Sequence, residues 1–97
     1  MVLPRRRMIE DTIVCAAVRH KVTGLVFSLP QPNRHHHILH AMKSLGLDTT
    51  HTMNEQGFLT NDGWFVGREQ ARDIAADAGQ LLPDARICNQ LFSEDLW

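Results

Sequence analysis

The chain has 97 residues, with 10 Lys and Arg against 11 Asp and Glu, and 43% of its residues are hydrophobic. That is long enough for one domain and too short for two, and too apolar for a disordered chain. A formal net charge of −1 excludes a general nucleic-acid or membrane binder, which needs a strongly basic surface. The two cysteines, Cys15 and Cys88, show no motif spacing, and Cys15 sits in an apolar run that suits a buried thiol. No export signal and no stretch of transmembrane length stand out, so a reducing cytoplasm is the default compartment.

Residues 1–10 are Arg-rich (Arg5-Arg6-Arg7) and lack periodicity. They read as a solvated terminus or as a basic arm reaching a partner or anion. Ile13-Val14-Cys15-Ala16-Ala17-Val18 is a short, continuously apolar run, which suits a central strand covered on both faces. His20 to Gly24 reads as a turn, and Leu25-Val26-Phe27-Ser28-Leu29 as a second strand that Pro30 and Pro32 end. Asn33 to Leu45 predicts a helix, with Asn33 as its cap and Ile38, Ala41, Met42 and Leu45 as its apolar stripe. Leu47 to Gln56 is polar and aperiodic and reads as a loop.

Gly57 to Arg68 then predicts a hairpin, because Asn61-Asp62-Gly63 tolerates the left-handed backbone of a tight turn. The second strand runs into a helix from about Glu69 to Ala78, with Ala71, Ile74, Ala75 and Ala78 on one face and Gly79 as its stop. Leu91-Phe92 and Leu96-Trp97 form an apolar tail that docks on its own core or on a neighbouring subunit. The order is ββαββα, which predicts a single α+β domain with a small antiparallel sheet and two helices against it.

The first helix opens with a conflict. Arg34, His35, His36 and His37 follow Asn33, although a helix N-terminus disfavours cations. A bound anion would reconcile them, since free N–H groups and a guanidinium both suit phosphate. The plain alternative is a solvated arginine with surface histidines. Arg68 repeats the situation at the second helix, beside Phe58, Trp64 and Phe65. Trp64 and Phe65 point opposite ways along a strand, and an exposed aromatic next to an arginine would make a clamp for purine and phosphate. The alternative is a core aromatic and a solvated arginine.

His36 with His40, or His37 with His40, share a helix face but find no carboxylate or cysteine in that helix to complete a metal site. No phosphate-binding glycine loop, nucleophile elbow or HExxH motif is present. His35 and Glu69 are the residues an acid–base pair would use. No catalytic residue, metal or cofactor is predicted.

Several short motifs are specific. Gly57-Phe58-Leu59-Thr60, Phe65-Val66, Arg68, Ala71, Ala78-Gly79-Gln80 and Ser93-Glu94-Asp95-Leu96 lie in the C-terminal half. Cys15-Ala16-Ala17-Val18 and Arg34-His35-His36 lie in the N-terminal half. Together they resemble the first-described Thoeris anti-defence proteins of phages, sponges that bind cyclic ADP-ribose-type immune signals without cleaving them. Two positions depart from that pattern. Gly67 stands where an acidic cap precedes Arg68, and a Pro-rich stretch replaces a glycine before Arg34.

The resemblance implies a non-enzymatic protein that acts in the cytoplasm of an infected bacterial host as a dimer or larger homo-oligomer. It implies a ligand site of Arg34, His35, His36, Phe58, Thr60, Phe65 and Arg68. The arginines would hold the pyrophosphate, and Phe58 or Phe65 would stack on the base. The competing readings are a protein-binding inhibitor of a bacterial defence complex and a small enzyme that cleaves cyclic nucleotides.

Overall fold

A computed structural model of the protein describes residues 10–50 and 52–97. The arginine run of the N-terminal arm lies outside the described residues. The elements are β1 (Ile13–His20), β2 (Val26–Ser28), α1 (His35–Ser44), β3 (Asn54–Thr60), β4 (Phe65–Gly67) and α2 (Arg68–Asp77), followed by a 3-10 turn at Ser93–Asp95. All strand pairs are antiparallel, in the order β2-β1-β3-β4. This is the α+β, ββαββα arrangement that the sequence predicts, with the apolar run of β1 at the centre of the sheet.

The register explains which residues face the helices. Ile13 pairs with Thr60 but Cys15 pairs with Leu59, so Val14 is a bulge residue. One extra residue flips the side-chain parity. Ile13 therefore reaches the same face as Ala16 and Val18 and joins them in the core, while Val14 stays 44% exposed. The side chain of Gln80 fixes this point, accepting from the Ile13 N–H at 2.7 Å and donating to the Ile13 carbonyl at 2.8 Å. It takes the place of a strand where the ladder is interrupted.

The core-facing row runs through Ala16, Phe58 and Val66, which are cross-strand neighbours. Ile38 and Met42 of α1, and Ala71, Ile74 and Ala75 of α2, pack onto it. The small residues of α2 let that helix lie close to the sheet. In α1 the predicted stripe is rotated. Ala41 is exposed, Leu45 is exposed, and His35 is buried with Ile38 and Met42 instead. His35, Ile38 and Met42 follow the same helical spacing, but a histidine does not register as apolar.

Two boundaries differ from the prediction. Arg34, in extended backbone, is the N-cap of α1. Asn33 turns back instead, donating from Nδ2 to the Pro30 carbonyl at 2.8 Å. Strand β3 begins at Asn54, three residues before the expected Gly57. Each of these three residues does a polar job. Asn54 is buried and ties the preceding loop through the Asp48 and Thr50 carbonyls, Glu55 pairs with Arg19, and Gln56 meets Arg68.

The C-terminal segment docks on its own chain. Leu91 is fully buried, Leu96 and Trp97 pack against the core, and the Trp97 indole donates to the Asn33 carbonyl at 3.2 Å. Asp95, 2% exposed, accepts from the Phe92 and Arg86 N–H groups at 3.0 and 3.2 Å and faces Arg72 at 3.6 Å. The Ser93-Glu94-Asp95-Leu96 motif is therefore the fold's closing turn.

Candidate functional site

Both helix starts meet near the middle of β3, and their arginines share a cleft. Helix α1 carries no acidic residue in its first turn and no side-chain cap on its N–H groups. Arg34, one third exposed, reaches the C-terminal segment. Its Nη2 donates to the main-chain oxygen of Trp97, and its Nη1 lies 3.6 Å from Oε1 of Glu94. Its own N–H donates to Nδ1 of His37 at 2.9 Å.

His35 is buried. Its Nε2 lies 2.7 Å from the Gly57 carbonyl, and its ring meets Phe58 edge-on with centroids 5.0 Å apart. A carbonyl accepts, so the ring must donate from Nε2. Burial pushes its pKa down to about 4, the bond to Gly57 works upward, and the nearby Arg68 charge works downward. The imidazole is therefore neutral at physiological pH. On its other side Gly57 permits the close approach of β4. A Cβ there would overlap the Val66 carbonyl oxygen and stand 2.6 Å from a ring carbon of Phe65. His36 is exposed and stacks obliquely on His37 at 4.0 Å.

Arg68 is the first residue of α2, after an N-cap glycine that has no side chain to cap with. Its Nη1 donates to the Leu91 carbonyl at 2.6 Å and its Nη2 to Oε1 of Gln56 at 2.5 Å. Its guanidinium lies 4.4 Å from the Phe92 ring centroid, and that of Arg86 lies 4.2 Å from the same centroid. Two like charges accept this proximity because the ring offers each an attractive π-system. Burial lowers the Arg68 pKa, Glu94 and Asp95 work upward, and Arg86 works downward. A guanidinium remains a cation through such a change.

Arg34, His35, His36 and Leu39 form one wall of a cleft of about 220 Å³, Gln56 and Arg68 form the second, and Phe92, Ser93 and Glu94 the third. A second lobe of about 380 Å³ opens on the far side of Gln56 and Arg68, lined also by Glu55, Gly67, Glu69, Gln70 and Gln90. The Arg68–Gln56 bond is thus the partition between an arginine-lined lobe and an amide-rich one.

The structure brings together four of the predicted site residues, Arg34, His35, His36 and Arg68, and leaves three elsewhere. Phe58 is fully buried in the core and cannot stack on a ligand. Thr60 is buried in the hairpin, donating to Oδ1 of Asp62 at 2.5 Å and accepting from the Trp64 N–H at 3.2 Å. Phe65 alternates with the core-facing Val66, so it lies on the other face of the sheet over Gly57, under the guanidinium of Arg19 at 4.8 Å.

The aromatic at the cleft is Phe92, and it is engaged by two arginines. Gln56, Phe92 and Glu94 were not predicted as site residues. The late Ser-Glu-Asp-Leu motif marked the right segment, but nothing in it revealed the partner of Glu94. Among the described residues, no group of three or more His, Cys, Asp or Glu side chains comes together to hold a metal ion. Cys15 and Cys88 are both free thiols, the first buried and the second exposed. No helix among the described residues is long and apolar enough to cross a membrane.

The architecture is that of a small α+β protein whose two helix starts and C-terminal turn enclose an arginine-lined cleft. Over residues 12–97 the chain matches the family model described as phage T4 y16D protein, and it belongs to that family. The matched region includes every residue of the cleft. No curated protein and no solved structure matches the chain.

Proposed function

We propose that this phage protein is an anti-defence sponge that sequesters a cyclic nucleotide immune signal of the cyclic ADP-ribose type without cleaving it. The observation that carries the reading is the convergence of Arg34 and Arg68, from two different helix starts, on one cleft. Guanidinium groups and N-terminal N–H groups both favour phosphate. A pyrophosphate fits the arginine lobe in this reading. The rest of the nucleotide extends past Arg68 into the amide-rich lobe, where Gln70 and Gln90 offer both donors and acceptors.

Binding without cleavage is favoured by the state of the two acid–base candidates. His35 is neutral, with its Nε2 engaged by Gly57, and lines one lobe, while Glu69 lines the other. With Phe58 and Phe65 away from the cleft, the base stacks on guanidinium or imidazole planes, of which His36 is the exposed one. A second copy of the chain closes the open side of the cleft in this reading, and the complex acts in the cytoplasm of the infected bacterium.

The test is recovery. The protein is incubated with a cyclic ADP-ribose isomer, separated from free ligand, and heat-denatured. Release of intact signal supports sequestration. A cleaved product would make the protein an enzyme, and no retained ligand together with a stable host-protein complex would make it a protein-binding inhibitor.

A further inference from the structure

Among the described residues, Glu94 is the one acidic side chain that lines the arginine lobe. Its carboxylate is shared. Oε1 lies 3.6 Å from Nη1 of Arg34 and Oε2 lies 3.8 Å from Nη2 of Arg86. Both distances exceed a hydrogen bond, and the Glu94 side chain is 56% exposed. The pairs therefore neutralise charge without locking the carboxylate in place. Arg68 spends one N–H on Leu91 and one on Gln56, and its remaining donors can still meet a ligand. The cleft guanidinium that is paired with Glu94 is that of Arg34.

Building on the nucleotide-binding reading, we infer that Glu94 is a specificity-determining residue of the cleft, an internal carboxylate that an incoming anion must displace from Arg34. A singly charged anion gains nothing by replacing one carboxylate with another. A pyrophosphate carries more charge and can span Arg34 and Arg68 at once. The displaced carboxylate is not stranded, because Oε2 already faces Arg86 and a rotation about the Glu94 side chain completes that pair. Glu94 thus sets a threshold of ligand charge, which selects polyphosphates over the abundant carboxylates of a cell.

Calorimetric titration of the full chain with inorganic pyrophosphate and with acetate tests this. The wild type binds pyrophosphate and not acetate. Glu94→Gln, nearly the same shape without the charge, binds pyrophosphate about threefold tighter or more, from the loss of one exposed ion pair and of carboxylate–phosphate repulsion. Glu94→Asp, which keeps the charge but withdraws it, gives a smaller gain. In Arg34→Ala the Glu94→Gln gain shrinks, because the part that comes from the ion pair is gone. Unchanged or weaker pyrophosphate binding by folded Glu94→Gln and Glu94→Asp, with wild-type binding intact and dependent on Arg34, overturns the role of Glu94 alone. Pyrophosphate binding that no arginine substitution alters, or none in any variant, overturns the phosphate-cleft reading as well.

Discussion

His35 Nε2 and the carbonyl of Gly57 are 2.7 Å apart, a buried bond that joins the first turn of α1 to the middle of β3. It holds the start of α1, and with it Arg34, against the sheet. It also makes the fold sensitive to acid. The folded pKa of His35 is about 4, against 6.5 in the unfolded chain. The unfolded state therefore binds the extra proton between these values, and stability rises with pH across that window. The contribution is complete above pH 6.5, declines as the pH falls, and is lost by about pH 4. At about 1.4 kcal/mol for each pH unit, the window amounts to an upper limit of about 3 kcal/mol. Urea midpoints at pH 7 and pH 4.5 show the decline in the wild type, and His35→Gln loses that dependence.

Gly57→Ala tests the close approach on the other side of the same residue. The added methyl group overlaps the Val66 carbonyl, which belongs to a strand and cannot yield as a side-chain tip would. The expected loss is about 1–3 kcal/mol, the usual penalty for overpacking, measured as a lower urea midpoint. A midpoint equal to wild type would show that β4 moves freely away from β3.

Arg68→Ala reports on the C-terminal segment as well as on any ligand. A solvated arginine, the plain alternative that the sequence allows, would leave folding almost unchanged. The bonds of Arg68 to Leu91 and Gln56, and its contact with Phe92, replace that expectation. Hydrogen bonds from a charged group contribute about 1.5–3 kcal/mol, so the variant is less stable by about that amount. Hydrogen exchange checks the location, with faster exchange at the Leu91 and Phe92 amides and unchanged exchange in β1.

Gln80→Ala removes the two bonds that complete β1 at Ile13. The main-chain groups of Ile13 are left without their partner, at a cost of about 1–3 kcal/mol. Gln80→Glu keeps the acceptor and loses the donor, so it should fall between the two. Chemical denaturation of the three proteins ranks them.

Much of this was legible in the sequence because it depends on short-range patterning. The hairpin at Asn61-Asp62-Gly63, the Ala-rich face of α2 and the apolar run of β1 each carry a period or a turn signal. What escaped was polar residues doing buried work. Asn54, Glu55 and Gln56 belong to a strand, yet their partners lie 4 to 36 residues away in the chain. His35 occupies a core position that apolar counting passes over. The two arginines of the cleft stood out because cations at helix starts conflict with the helix dipole. The positions of Phe58 and Phe65 away from the cleft are not legible in the sequence, since alternation states that neighbours point apart and not which face is covered.

The most direct test of the account is calorimetry of the wild-type chain and of Arg34→Ala against a panel of cyclic nucleotides that includes cyclic ADP-ribose isomers. The account predicts that the wild type binds at least one member and that Arg34→Ala loses about tenfold or more in affinity, as when a charged hydrogen bond is removed. Arg34 also donates to the main-chain oxygen of Trp97, so circular dichroism at the titration temperature confirms that the variant is folded. Binding of no member by the wild type, or equal binding by the variant, contradicts it.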